Sequence, residues 1–128
     1  MKNLLIISAF ILLSATGVTA QSIVSAKHAA KHAGQKVTIC DKVYSTDSNG
    51  GATLLYLGGD HPGQSLTIVV KGADHPKFKE HFLTDLKGKD ICVTGVVILT
   101  KGKPEIVVSS PKQIRHFMVD SPVGKKFN

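Results

Sequence analysis

Five short segments rich in apolar and β-branched residues constrain this chain more than any other feature. The first of them, residues 36–43, alternates apolar and polar residues. A period of two residues is typical of a β-strand with one buried face. Turn-forming residues separate the segments, and Asn49-Gly50-Gly51 is the clearest turn, because Asn-Gly is a strong hairpin signal. The predicted strands are, in chain order, residues 36–43, 52–57, 65–71, 89–99 and 105–109. The pattern therefore predicts a mainly β protein.

Two segments have a different period and predict helices. Residues 22–33 are rich in alanine and lysine and end before Gly34, which favours a short N-terminal helix. Between the third and fourth strands, Phe78, Phe82 and Leu86 recur at positions i, i+4 and i+8. That spacing predicts a helix that begins near Asp74, with its apolar stripe facing the sheet.

The order of these elements predicts one particular architecture. Five strands with a helix between the third and fourth are the arrangement of the OB-fold, a five-stranded Greek-key barrel. Gly95 lies midway along the fourth strand, where a glycine indicates a bulge or a sharp bend. In this arrangement the stripe of Phe78, Phe82 and Leu86 is expected to close one end of the barrel.

The N-terminus has the three parts of a signal peptide. Lys2 supplies the positive region, residues 4–13 form a short apolar run, and Val18-Thr19-Ala20 offers small residues for cleavage. The run is shorter than the about 20 apolar residues that span a bilayer. We expect residues 1–20 to be removed, residues 21–117 to form the OB-fold domain, and residues 118–128 to form a flexible tail. The protein would then be exported, to the periplasm or the exterior, without stable membrane insertion.

Several stretches resemble a family of small exported bacterial OB-fold proteins. The residues that carry the resemblance are Gly34-x-x-Val37-x-Ile39-x-x-x-Val43, Pro62-Gly63-Gln64, Gly88-Lys89-x-Ile91-x-Val93-Thr94-Gly95 and Gly102-Lys103-Pro104-Glu105-Ile106-x-Val108-x-x-Pro111-x-Gln113-Ile114. Asp41 stands where that family has glycine, a departure that bears on a bulge in the first strand. The resemblance implies an OB-fold of the nucleic-acid-binding type. A second exported family, associated with stress, is similar in its closing motif and implies a small or charged ligand.

Charge and aromatic residues suggest where a ligand would bind. The formal net charge of +7 favours anionic partners such as single-stranded nucleic acid or another anionic polymer, although it also serves solubility. An OB barrel binds such strands with its second and third strands and two flanking loops. The candidate contacts on that surface are Lys42, Tyr44, Tyr56, Lys71, Lys101 and Lys103. The alternative is a stress-associated or adaptor module for a small ligand, a glycan or a protein.

Catalysis, metals and cofactors find little support in the sequence. The nine carboxylates show no paired spacing, and Arg115 is the single arginine, so we expect no enzyme. His28 and His32 have the i, i+4 spacing that places two imidazoles on one face of an α-helix, but no third ligand follows. We therefore expect neither a metal site nor a cofactor.

The two cysteines, Cys40 and Cys92, predict a disulfide. They lie near the middle of the first and fourth predicted strands, which are antiparallel neighbours in an OB-fold. Each occupies the alternation opposite to the apolar residues of its strand, and cross-strand pairs of this kind lie within bonding reach. Two unbridged thiols that fill space are the alternative.

Overall fold

Seven strands and four 3₁₀ helices make up residues 23–117, the part of the chain that the computed structural model describes. The strands are β1 (Ile23–Val24), β2 (Lys36–Asn49), β3 (Ala52–Leu57), β4 (Leu66–Val70), β5 (Asp90–Thr100), β6 (Lys103–Val107) and β7 (Ile114–His116). The 3₁₀ helices are Ala26–His32, Gly72–Lys77, Thr84–Leu86 and Pro111–Gln113. The predicted signal peptide, 1–20, and the predicted tail, 118–128, lie outside the described residues.

The five longer strands pair in a closed circuit. Strand β2 pairs with β3, β3 with β4, β4 with β6, β6 with β5, and β5 returns to β2. All of these pairings are antiparallel except the one between β4 and β6. The two short strands extend the sheet, β1 beside β2 and β7 beside β5. Within residues 23–117 no helix is long and apolar enough to cross a membrane.

The structure has two strands more than the sequence predicted. Strands β1 and β7 have two and three residues, too few to show a period of two. The predicted first strand also ends too early, because β2 continues past Val43 to Asn49. The hairpin turn lies at Gly50 and Gly51, whose φ angles of 58° and 84° suit glycine best.

Of the bulge and the sharp bend predicted as alternatives at Gly95, the bulge is wrong. Gly95 keeps regular register opposite Val37, whereas the register of β2 shifts between Val43 and Ser45. A Cβ atom at Gly95 would lie 2.6 Å from the Cγ2 atom of Ile106, which explains why this position has no side chain. Just past Gly95, β5 changes its pairing partner from β2 to β6.

Alternate residues of the circuit form one apolar core. The fully buried side chains of greatest volume include aliphatic residues from every strand of the circuit, among them Ile39, Leu55, Leu57, Leu66, Ile68, Ile91, Val93 and Ile106. Because side chains alternate along a strand, the residues between these positions point to the outside of the sheet. The core thus fixes which residues are offered to a ligand.

The helix predicted over residues 74–86 is not an α-helix. Two separate 3₁₀ helices, Gly72–Lys77 and Thr84–Leu86, occupy the segment. Pro76 lies inside the first, which ends where Phe78 adopts extended backbone angles, and His81 has a φ of 62°, which no helix tolerates. The stripe nevertheless packs on the core, with Phe78 and Leu86 buried and Phe82 half-buried.

The N-terminal segment is also a 3₁₀ helix, shorter than the predicted 22–33. Its first backbone amide, that of Ala26, donates to the Asp41 carboxylate over 3.1 Å. With three residues per turn, positions i and i+3 are aligned and positions i and i+4 are not. His28 and His32 therefore do not lie on one face of this helix, and their i, i+4 spacing does not align the two imidazoles.

The predicted disulfide is present. Cys40 of β2 lies directly opposite Cys92 of β5, and an S–S bond joins the two residues across 52 positions of sequence. Their Cα atoms are 4.0 Å apart. Beside the bridge, the hydroxyls of Thr38 and Thr94 hydrogen-bond to each other over 2.8 Å. The bridge thus joins the two strands whose pairing closes the circuit.

Candidate binding surface

A row of side chains crosses the outside of the sheet from β2 to β6. Ser45 pairs with Tyr56, Tyr56 with Thr67, and Thr67 with Glu105. We call these four residues the outer row. They lie on the face of the sheet opposite to the core, the face on which an OB-fold holds its ligands.

The loop between β3 and β4 folds back over the outer row. The His61 ring stacks on the Tyr56 ring with centroids 4.8 Å apart. The Gln64 side chain donates to the Thr67 hydroxyl over 3.1 Å, and its oxygen lies 3.2 Å from Nδ1 of His61. As a result Tyr56 is only 4% exposed, whereas His61 is exposed.

Two carboxylates belong to the same cluster. The Tyr56 hydroxyl donates to Asp47 over 3.3 Å, and burial together with the Asp47 charge raises the pKa of Tyr56. Asp60 accepts hydrogen bonds from the Ser45 hydroxyl and from the His61 amide, and these bonds lower the pKa of Asp60. Three carboxylates, Asp47, Asp60 and Glu105, thus lie in or beside the outer row and its loop.

The six predicted contact residues fall into separate places. Lys42 and Tyr44 lie together near the irregular part of β2, where the lysine ammonium is 5.2 Å from the ring centroid. This distance is that of a cation–π contact. Tyr44 is 44% exposed.

The other lysines flank the outer face. Lys101 and Lys103 belong to the hairpin between β5 and β6, where Lys103 pairs with Thr100. Lys71 directly follows β4, next to the hairpin of β2 and β3, since Gly72 approaches the backbone of Gly51. All three lysines are exposed. From Lys71 back to the outer row is roughly 13 Å along the strand.

The structure thus brings together Lys42 with Tyr44, and Lys101 with Lys103. Within residues 23–117, no hydrogen bond or ring contact joins either pair to Tyr56 or Lys71. Sequence reasoning missed His61, whose exposed ring covers that of Tyr56. It also missed that β3 and β4 carry no charged residue. The alternation around Tyr56 predicts that its side chain lies outside the core. Only the folded loop between β3 and β4 shows that His61 covers it.

Metal ligands do not converge on this surface. Among the described residues, no group of three or more histidine, cysteine or acidic side chains is placed to hold an ion.

Comparison with solved structures identifies the fold. Residues amounting to 77% of this chain superpose on 23% of an asparaginyl-tRNA synthetase from Pyrococcus horikoshii, with 19% identity and a TM-score of 0.52. An OBody bound to hen egg-white lysozyme matches 78% of this chain over 97% of its own length, with 16% identity and a TM-score of 0.51. The S. pombe Stn1-ten1 complex provides a third match, over 69% of this chain and 60% of that one, with 18% identity and a TM-score of 0.51.

These likenesses support an OB-type fold. The chain spans less than a quarter of the synthetase chains that it matches. No protein-family model and no curated protein matches this chain.

Proposed function

We propose that this chain is an exported OB-fold barrel that binds single-stranded nucleic acid without sequence preference and without catalysing a reaction. The observation that carries the proposal is the placement of lysines at both hairpins that border the outer face. Lys101 and Lys103 lie at one border, and Lys71 lies at the other. A nucleic-acid strand that crosses the face from one hairpin to the other would meet a lysine at each end.

The bases would stack on rings that are already fixed. Single-strand binding combines a cationic track with aromatic platforms, each stack contributing about 1–3 kcal/mol. His61 offers an exposed ring that is held from beneath by Tyr56 and at its edge by Gln64. Tyr44, beside Lys42, offers a second exposed ring. The phosphates would contact Lys101 and Lys103 at one border and Lys71 at the other, and the strand between these contacts would pass the carboxylates Asp47 and Asp60.

Titration with a fluorescently labelled single-stranded oligonucleotide tests this proposal. We expect affinity to fall steeply with salt, and Lys101→Gln with Lys103→Gln to reduce the slope of log K against log salt by about 1.4. His61→Ala should cost about 1–3 kcal/mol of binding free energy. The matched controls are Lys27→Gln with Lys31→Gln and His28→Ala, on the N-terminal 3₁₀ helix. The absence of binding at low salt would refute the proposal.

A second function has a specific observation in its favour. The middle of the outer face carries Asp47, Asp60 and Glu105, and β3 and β4 themselves carry no lysine. Lys87, from the segment before β5, is the one lysine whose charge contributes to the lowered pKa of Asp60. Such a surface suits a small cationic ligand or a protein with a basic patch better than a polyanion. The chain would then be an adaptor or stress-associated module.

Neutralising two carboxylates distinguishes the two functions, because it should raise the affinity for an oligonucleotide and lower the affinity for a cationic partner. Asp60→Asn with Glu105→Gln should strengthen oligonucleotide binding, since it removes repulsion from the phosphates. The same change should weaken binding of a cationic partner, for which a lysine-rich peptide is a suitable probe. If neutralisation strengthens only oligonucleotide binding, nucleic acid is the ligand class; if it weakens only peptide binding, the adaptor function holds.

A further inference from the structure

A groove runs along the outside of β5 and β6, beside the Glu105 end of the outer row, since Ile98 in the groove lies directly opposite Glu105. Its volume is about 620 Å³, within the range of small-molecule sites, which is roughly 300–1,000 Å³. Three apolar side chains line it, those of Val96, Ile98 and Val107. Val96 and Ile98 are 47% and 42% exposed, high values for aliphatic residues on a sheet.

The polar lining of this groove has one sign of charge. Lys36 lies directly opposite Val96 on β2, and Lys112 belongs to the 3₁₀ helix Pro111–Gln113 on the other side. None of the residues that line the groove is acidic, and Glu105 borders it only at the Ile98 end. Neither lysine has an ion-pair partner within residues 23–117. An apolar floor beside two unpaired ammonium groups matches a ligand with an apolar body and an anionic end.

The wall of the groove is held in place before any ligand binds. The side-chain oxygen of Gln113 accepts from the backbone amides of Ser109 and Ser110, and its nitrogen donates to the Thr94 carbonyl over 3.1 Å. These bonds tie the 3₁₀ helix that carries Lys112 to β5. A site whose parts are already positioned loses less entropy when it binds.

We propose that this groove binds a small single-chain amphiphile with a carboxylate head. The apolar chain lies against Val96, Ile98 and Val107, and the carboxylate lies between Lys36 and Lys112. The charge complementarity favours a monomeric carboxylate over a neutral or cationic amphiphile. This site does not involve Lys101, Lys103 or His61, so it stands or falls independently of nucleic-acid binding.

Decanoate, kept below its micelle concentration, is the probe, and decyltrimethylammonium is the control of opposite charge. We expect decanoate to shift the backbone amide resonances of residues 94–98 and 107 in a ¹⁵N-edited NMR titration. Lys36→Gln with Lys112→Gln should weaken decanoate binding roughly fivefold to tenfold, from two partly exposed charge contacts. Lys27→Gln with Lys31→Gln removes the same charge outside the groove and should change nothing.

Three outcomes overturn the proposal. The first is that decanoate shifts only amide resonances outside the groove, and the second is that both amphiphiles bind with equal affinity. The third is that the Lys36 and Lys112 variant, with its spectrum otherwise unchanged, binds decanoate as tightly as the unaltered protein. Failure of the Lys101 and Lys103 variants to affect oligonucleotide binding bears on the proposed function alone.

Discussion

The pKa of the Asp60 carboxyl group, in the loop over the outer row, depends most on one hydroxyl, that of Ser45. The Ser45 hydroxyl and the His61 amide donate to Asp60, and the resulting stabilisation of the charged form lowers its pKa. Ser45→Ala removes the larger of these contributions. We expect the pKa of Asp60 to rise towards its ordinary value, as followed by NMR titration of the side-chain carboxyl resonance.

The sign of the linked stability effect follows from the lowered pKa. The contribution of Asp60 is complete above the ordinary carboxyl pKa and is lost as the pH falls through the lower folded-state pKa. Ser45→Ala should therefore make the free energy of unfolding depend less on pH in that acidic range. Ser48→Ala, in the same strand but without a side-chain contact to Asp60, is the control. An unchanged Asp60 titration in the Ser45 variant would contradict this assignment.

Gly95 is required by a close approach. An alanine Cβ would lie 2.6 Å from Ile106 Cγ2, so Gly95→Ala should cost about 1–3 kcal/mol of unfolding free energy through overpacking. Combining it with Ile106→Ala should cost less than the sum of the two changes, since the clash disappears. Urea denaturation of the four proteins of this cycle measures the coupling. Gly63→Ala, in an exposed loop with space for a Cβ, is the control. Strict additivity of the Gly95 and Ile106 changes would contradict this explanation, because it would show that the structure relieves the clash without Ile106.

Residue positions were predictable where only alternation mattered. Counting from Ile39 and Val93 places both cysteines on the same side of their strands, and the bridge follows from strand pairing. Alternation also places Tyr56 outside the core. Its burial depends on the loop that carries His61, and no periodic signal in the sequence predicts how an irregular loop folds back.

At the level of elements, strands were predicted better than helices. Alternation in residues 36–43, β-branched residues in 65–71 and the turn residues that bound each segment were enough to find the central segments of β2 to β6. The spacing of Phe78, Phe82 and Leu86 is that of an α-helix. These residues nevertheless pack on the core from a segment that contains two separate 3₁₀ helices. Pro76 and the positive φ of His81 interrupt the segment, and only tertiary packing decides such cases.

The disulfide should contribute strongly to stability because it closes a long loop. Joining residues 52 positions apart restricts the unfolded chain, which corresponds to about 4 kcal/mol on the chain-entropy model. We expect Cys40→Ala with Cys92→Ala to lose a comparable free energy of unfolding in urea. Reduction of the unaltered protein serves as a parallel test that leaves the side chains in place. A loss below about 1 kcal/mol in both experiments would mean that pairing of β2 with β5 suffices without the bridge.

For the whole molecule, the sequence predicted two of the strand pairings, including the hairpin that is now β2 and β3. The sequence correctly placed the first and fourth predicted strands side by side, now β2 and β5. It did not predict β1 and β7, which extend the sheet on either side of that pair. Elements of two or three residues form because a sheet edge is already available, and this cause lies outside their own sequence.

The same topology predicts where the molecule resists opening. Strand β5 pairs with β2, β6 and β7 and carries one end of the disulfide, so its central amides are released only when the circuit itself opens. Residues 78–83 and the loop 58–65 lie outside the ladders. We expect native-state hydrogen exchange to show that amides of residues 91–97 exchange through global unfolding, with those two segments exchanging through local opening.

Denaturant dependence distinguishes these two routes of exchange. Global exchange of the β5 amides should have a free energy that falls with urea as the unfolding free energy does, whereas local opening should be nearly independent of urea. After Cys40→Ala with Cys92→Ala, the β5 amides should lose the same free energy as the whole protein, and the two loops should be unaffected. Exchange of β5 by a urea-independent route would mean that β5 detaches while the rest stays folded, and that the circuit is not the cooperative unit of this fold.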